Sequence, residues 1–363
     1  MDNQSLIKRN IKYIGKIFTL AAGMFLICTC ERRPLEDDDL TREAFLEVNI
    51  DWSNSGLTPS SSTYSGDDVH RVSLRFFPKD KDTELVERYL EGNVTSGTIH
   101  VPIGNYAVVV YNESIDDEAY WGDAVTFTDI NLYSSFAANA ATFDNAQRQQ
   151  QFPYYKPADN EKFVVEPMRI ASWSLDNFKV TEGMALVSQG QQPNTYLTIE
   201  ERDMLNAFKN IVMRALTHNV NLTAKIENLA SVGAGFTAMK GVASKVYLAS
   251  GLTAPTPATY LFMLTRPQFE SGSKNGTTNN TFLSFGRIPA SSSEAYFIAE
   301  DIVFVNGEMY KPATPLLFDV TPQMKSNANA GININLNIEF QLPLVEGNIG
   351  VDDWGTDDVF TLE

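Results

Sequence analysis

The sequence predicts an all-β protein built as two sandwich domains in tandem. Short runs in which apolar and polar residues alternate recur along the whole chain, and clusters of Gly, Pro, Asn and Ser separate them. Stretches with helical period are few. The cleanest alternation is Ile332-Asn333-Ile334-Asn335-Leu336-Asn337-Ile338-Glu339-Phe340-Gln341-Leu342. Every second residue there is apolar, so one face packs on a core and the other meets water. A chain of 363 residues that is 43% hydrophobic can fill two such cores.

The first element is a targeting segment. Lys8, Arg9, Lys12 and Lys16 precede an apolar run from Ile17 to Ile27. That run has the length of a signal-peptide core and is too short to span a bilayer. Cys30 follows, with Ile27 at −3 and Thr29 at −1, an arrangement that resembles a bacterial lipobox. Cys28 fits less well, because bulky Ile27 stands at −1, where a small residue is needed. Residues 1–29 therefore read as a lipoprotein signal peptide, with Cys30 as the lipidated first residue of the mature protein. An ordinary secretory signal or an uncleaved anchor is the plainer alternative. Removal of 1–29 takes away four basic groups and Asp2, so the formal charge moves from −17 to −20 over 334 residues. One cysteine remains and no disulfide can form. Such an acidic chain offers no basic stripe for nucleic acid, and no later segment approaches a transmembrane length.

Residues 30–42 form an acidic lipid tether that contains Glu36, Asp37, Asp38 and Asp39. Four adjacent like charges repel and keep the chain extended. They also resemble the export tag that sends Bacteroidetes lipoproteins to the cell surface.

The N-terminal domain is expected over residues 43–187. Leu46 to Trp52 alternates as a half-buried strand. Val69 to Phe76 reads as a second strand, stopped by Pro78 and Lys79-Asp80-Lys81-Asp82, and Glu84 to Leu90 fits one or two helical turns. Gly97 to Glu113 reads as a hairpin, with Ile99 and Val101 leading into its turn at Gly104-Asn105, where positive φ is tolerated. The strand that follows, Tyr106 to Tyr111, is apolar on both faces, as in the middle of a sheet. Ala124 to Phe127 is a further strand. Residues 130–160 have weak periodicity and read as a long excursion, after which Phe163-Val164-Val165 and Phe178-Lys179-Val180 close the domain.

The run 188–194, Ser-Gln-Gly-Gln-Gln-Pro-Asn, is the linker by composition, and the C-terminal domain is expected over 195–363. Thr198-Ile199-Glu200-Glu201 fits a capping box opening a helix over 199–209, with Met204, Leu205 and Phe208 on one face. Asn219 to Ile226 and Gly241 to Leu248 resume the strand pattern. Tyr260 to Thr265, Phe282 to Phe285, Ala295 to Val305 and Leu316 to Val320 supply further strands before 332–342.

Catalytic motifs are scarce. His70, His100 and His218 are scattered and have no metal-ligand spacing. Ser271-Gly272-Ser273-Lys274 matches Ser-x-x-Lys, but it lies in a Ser/Gly/Asn loop rather than at a helix start. Asp352-Asp353-Trp354-Gly355-Thr356-Asp357-Asp358 is acidic without the spacing of an EF-hand loop. Trp52, Trp121, Trp173 and Trp354 fit core positions better than a sugar platform. A non-catalytic protein with no cofactor and no metal is expected. The competing readings are an enzyme with carboxylates gathered between the domains, and a binding protein that uses the aromatic residues and the 130–160 excursion.

Several short patterns together resemble a known family. Val69 to Phe76, then Ile99-x-Val101-Pro102-x-Gly104-x-Tyr106 and Val110-Tyr111-Asn112, are similar to the first domain of Bacteroidetes fimbrillin-like lipoproteins. Leu216-Thr217-x-x-Val220-x-Leu222-x-Ala224-x-Ile226 and Met239-x-Gly241-Val242-Ala243-x-x-Val246-x-Leu248 resemble their second domain, as does the ending with Pro343 and Val351-x-x-Trp354. The resemblance implies two transthyretin-like β-sandwiches on an outer-membrane lipid anchor, akin to fimbrial anchor and accessory subunits of the FimB type. It further implies fimbrial subunits as partners, met by β-strand addition. Polymerising fimbrillins are cut after an Arg to remove their first strand, and Arg42 stands where such processing is possible. The strand Val359 to Leu362 is the element expected to exchange, and a surface glycan- or protein-binding role is the alternative.

Overall fold

The computed structural model describes residues 43–339, apart from 60–67, 81–83, 114–119, 122–136, 141, 153–154, 193–195, 228, 233–234, 264, 266–267, 270–274, 289–292, 300–301, 305–308, 311–315 and 325–330. The chain is predominantly β. It begins with β1 (Glu43–Asp51), β2 (Arg71–Pro78), β3 (Val86–Glu91), β4 (Ser96–Pro102) and β5 (Gly104–Glu113). An excursion follows, with β6 (Ala137–Asn139), α1 (Asn145–Gln151) and β7 (Phe163–Val164). Next come β8 (Ala171–Val180), α2 (Glu182–Ser188), α3 (Ile199–Ala207), β9 (Ile211–Val212) and β10 (Arg214–Ala215).

The first core lies between two sheets, ordered β9-β1-β4 and β10-β8-β5-β2-β3. β1 and β4 pair antiparallel from Glu43↔Pro102 to Asn49↔Ser96. Their inward residues Leu46, Val48, Ile99 and Val101 meet Val72, Leu74, Phe76, Val108 and Val110 of the larger sheet. Two sequence expectations change here. Glu84 to Leu90 is a strand rather than a helical turn, because Val86 to Glu91 adds to β2, with Arg75–Glu87 at 2.7 Å and Arg71–Glu91 at 3.2 Å as cross-strand ion pairs. β4 and β5 also do not form a hairpin: β4 pairs with β1, whereas β5 pairs with β2 and β8, so the chain crosses between sheets at Ile103. Pro102 has no N–H to offer a neighbour, and the Tyr106 hydroxyl donates to its carbonyl at 3.1 Å. That ring sits so close that a Cβ at Gly104 would lie 2.8 Å from the Tyr106 hydroxyl oxygen.

The second half contains β11 (His218–Glu227), β12 (Gly235–Ala243), β13 (Lys245–Tyr247), β14 (Pro257–Met263), β15 (Gly276–Ser284), β16 (Glu294–Ala299), β17 (Leu316–Asp319) and β18 (Ile332–Glu339). One sheet runs β15-β11-β18, with the short strand Gln268–Phe269 beyond β15, and another runs β7-β14-β12-β16-β17, with Thr142–Phe143 beyond β7. β18 lies parallel to β11, from Val220↔Ile332 to Glu227↔Glu339. Its alternation is realised: Ile332, Ile334, Leu336 and Ile338 are buried, and Asn333, Asn335 and Asn337 are exposed. The strand expected from Gly241 to Leu248 is divided between the end of β12 and the short β13, and Gly241 itself sits at a bulge, with φ 76 and a register shift between Lys240 and Val242.

Two segments pack across the expected division. Phe163–Val164 does not close the first sheet but pairs parallel with β14, and β6 pairs with β13. In the other direction α3 has the expected capping box, Thr198 with Glu201. Yet Phe208, Ile211 and Met213 just beyond it sit in the first core. Phe208 is fully buried, its ring 4.9 Å from Phe178, 5.6 Å from Trp173 and 5.9 Å from Phe76.

Candidate functional site

The first strand follows directly on Arg42, the candidate processing residue, and it is covered along both edges. Its even-numbered residues Ala44, Leu46, Val48 and Ile50 are buried. Along the edge away from β4, α2 takes the place of a neighbouring strand. Phe45 N–H donates to Ser188 Oγ at 2.9 Å, and Gln189 Nε2 donates to the Glu43 carbonyl at 2.8 Å. Lys209 pairs with Glu47 at 2.9 Å, and β9 pairs parallel at Ile50↔Ile211. Thr181 and Thr198 cap α2 and α3. The Thr181 hydroxyl donates to Glu201 at 2.6 Å, and this bond, with the Thr198 N–H, holds the Glu201 carboxyl below its usual range. The sequence missed α2, although Thr181 followed by Glu182 is an N-cap signal.

Arg42 immediately precedes β1. From Glu43 to His70 the sequence contains neither Arg nor Lys, and Arg71 lies in β2, paired on both sides. Trp52 ends the strand in the core and donates through Nε1 to the Val94 carbonyl at 3.1 Å. Cys30, Glu36, Asp37, Asp38, Asp39 and Arg42 lie outside the described residues, as do Ala124 to Phe127, 271–274, Trp354 and the 352–358 and 359–362 segments.

An open sheet edge belongs to β18. Among the described residues no strand pairs with its outer side. Among the described residues its one partner there is a side chain. Asn335 N–H donates to Gln323 Oε1 at 2.7 Å, and Gln323 Nε2 donates back to the Asn335 carbonyl at 3.2 Å. The carboxamide thus imitates one residue of a neighbouring strand, while Asn333 and Asn337 direct their main-chain groups to the same side.

The three histidines are far apart in role. His100 stacks on Phe45 with ring centroids 4.0 Å apart. His218 is held below its usual pKa by burial. Among the described residues no group of three or more His, Cys, Asp or Glu is placed to hold a metal, and no helix is long and apolar enough to cross a membrane. Trp173 packs against Phe208. Among the described excursion aromatics, Phe152 and Tyr155 are buried in a small cluster with Phe163, Ala238 and Leu261.

Comparison with known proteins bears on this architecture. The family described as "Domain of unknown function (DUF5119)" matches residues 29–263, more than half of the chain. The chain belongs to the DUF5119 family. This DUF5119 protein is 31% identical over 104 residues to a Bacteroides ovatus protein named "Putative fimbrium anchoring subunit Fim4B". That match covers 29% of the chain and 27% of the relative, so the chain spans about a quarter of the curated relative's length. A crystal structure of "a putative adhesin" from Bacteroides ovatus shares the fold: TM-score 0.51, 16% identity, covering 86% of this chain and 97% of that one. The fimbrial anchor protein Mfa2 from Porphyromonas gingivalis superposes with a TM-score of 0.42 at 11% identity, over 82% of this chain and 90% of that one.

Proposed function

We propose that this chain is a cell-surface lipoprotein, acylated at Cys30, that anchors a fimbria or assists its assembly without catalysis. The observation that carries the reading is the placement of β1. A cut after Arg42 would release the lipid but leave β1 in the core, because the strand begins at Glu43. No later Arg or Lys precedes β2, so removal of the first strand by cutting after Arg has no substrate bond. A subunit that keeps its first strand suits an anchor rather than a polymerising stalk. The name of the Bacteroides ovatus relative, a "putative fimbrium anchoring subunit", supports the same role.

In this reading the body is two transthyretin-like sandwiches in tandem, residues 30–42 are a tether, and Glu36 to Asp39 direct export to the outer face of the outer membrane. The partner is a fimbrial subunit, met by strand addition. The outer edge of β18 offers main-chain groups for it, and Val359 to Leu362 is the strand that exchanges. Mass spectrometry of the surface form tests the proposal. A mature chain that starts at lipid-bearing Cys30 and crosslinks to a fimbrial subunit is expected, as is loss of that crosslink but not of the lipid when 357–363 are deleted. A lipid-free surface form starting at Glu43 would overturn anchoring. Failure of any fimbrial subunit to crosslink would overturn the fimbrial role.

A further inference from the structure

We infer that the cleft between the excursion and β13 binds a carboxylated saccharide. The cleft has a volume of about 560 Å³, and Lys162, Lys245, Thr142, Ser244 and Thr256 line it. The chain carries 45 acidic and 28 basic residues, yet among the described residues no carboxylate lines this space. Among the described residues, neither lysine has an ion-pair partner; Lys245 Nζ lies 5.6 Å from the Tyr247 ring. The acidic residue next in sequence, Glu161, faces elsewhere and pairs with Lys240 at 3.4 Å. Two uncompensated ammonium groups on one cleft favour an anion strongly against the negative field of the rest of the chain.

The frame of the cleft is already hydrogen-bonded. Ala140 N–H donates to the Ser244 carbonyl at 2.9 Å, Ala254 N–H to Lys245 at 3.0 Å and Thr259 N–H to Lys162 at 2.8 Å. Main chain so engaged offers no edge to an incoming peptide strand, and it holds the side chains in place before a ligand arrives. The space exceeds what an inorganic anion fills, and ligand pockets of this size accommodate small organic molecules. Three hydroxyls beside two ammonium groups match ring hydroxyls beside a carboxylate. This site does not depend on the fimbrial reading.

Calorimetric titration of the full chain with a galacturonate trisaccharide tests the proposal, with maltotriose, acetate, inorganic phosphate and tri-aspartate as comparators. The galacturonate trisaccharide should bind most tightly, and its binding should weaken between low salt and about 0.15 M salt. Lys162→Gln together with Lys245→Gln should weaken it about tenfold, as expected for the loss of two solvent-facing charge contacts. Lys225→Gln, on the outward face of β11, should leave it unchanged. Circular dichroism checks that each variant is folded, and Lys162→Gln alone, at an exposed position, provides a second variant. Equal binding of acetate, phosphate or tri-aspartate would overturn the saccharide assignment. So would binding of the trisaccharide that the lysine variants do not alter, or no binding at all.

Discussion

Glu161 ties the excursion to the second sheet. Its side chain is 8% exposed. It accepts hydrogen bonds from the Tyr155 hydroxyl at 2.7 Å, from Ala158 N–H at 2.9 Å and from the Thr259 hydroxyl, and it pairs with Lys240. Burial pulls its pKa up, but the hydrogen bonds and Lys240 together outweigh that and hold it below the ordinary 4.5. A carboxyl whose folded pKa is depressed contributes stability above its unfolded pKa and loses it as pH falls through the folded value. Glu161→Gln should therefore lower stability at pH 7 by about 1–3 kcal/mol, because a buried donor set loses its charged acceptor. The gap between wild type and variant should close below pH 4.5. Urea midpoints measured at both pH values check this, and a gap that stays constant would contradict it. The contacts with Lys240 and Thr259 are not legible in the sequence, since they arise only where β7 and β12 both pair with β14.

At the scale of the element, β18 illustrates how a readable pattern still needs one structural detail. The alternation from Ile332 to Ile338 sets which face is buried, and any one-residue slip would bury three asparagines. The entry into the strand is decided by Gly331, at φ 69, where a Cβ would lie 2.5 Å from the Asn219 carbonyl oxygen. Gly331→Ala combines a left-handed backbone with a clash against main chain, and should cost about 2 kcal/mol or more. A lowered Tm and faster amide exchange along β18 are the expected readouts; an unchanged Tm would show that the strand can enter by another path. The α3 helix was legible for a local reason, since its cap and first turn lie within four residues of sequence. β3 was not, because Val86 to Glu91 becomes a strand only through its antiparallel ladder with β2.

At the scale of the molecule, the two cores share a sheet. Tyr106, Val108 and Val110 of β5 face the first cluster, and Ala107, Val109 and Tyr111 face the second. Phe76 and Phe77 of β2 divide in the same way. A sheet buried on both faces couples the two halves, so unfolding should be one transition rather than two. Val108→Ala and Val109→Ala, which touch different cores, should each lower that single transition by about 2 kcal/mol. Calorimetry that resolves two transitions, with each variant moving only one, would show independent halves.

Local pattern alone sets the β-rich class, most strand positions, the α3 cap and the two-faced character of β5. These properties rest on local periodicity and turn chemistry, which the chain carries in every conformation. The tertiary structure decided which strands are neighbours. Nothing in Ile99-His100-Val101-Pro102 states that β4 pairs with β1 rather than with β5. Nothing in Phe163-Val164 points ninety-six residues ahead to Thr259 and Tyr260. Phe208 likewise follows the glutamine-rich run, yet its ring fits among Phe76, Trp173 and Phe178, and only that cavity assigns it to the first core. Pairing and core membership depend on contacts between residues distant in sequence, whose selection rests on shape and burial rather than on pattern.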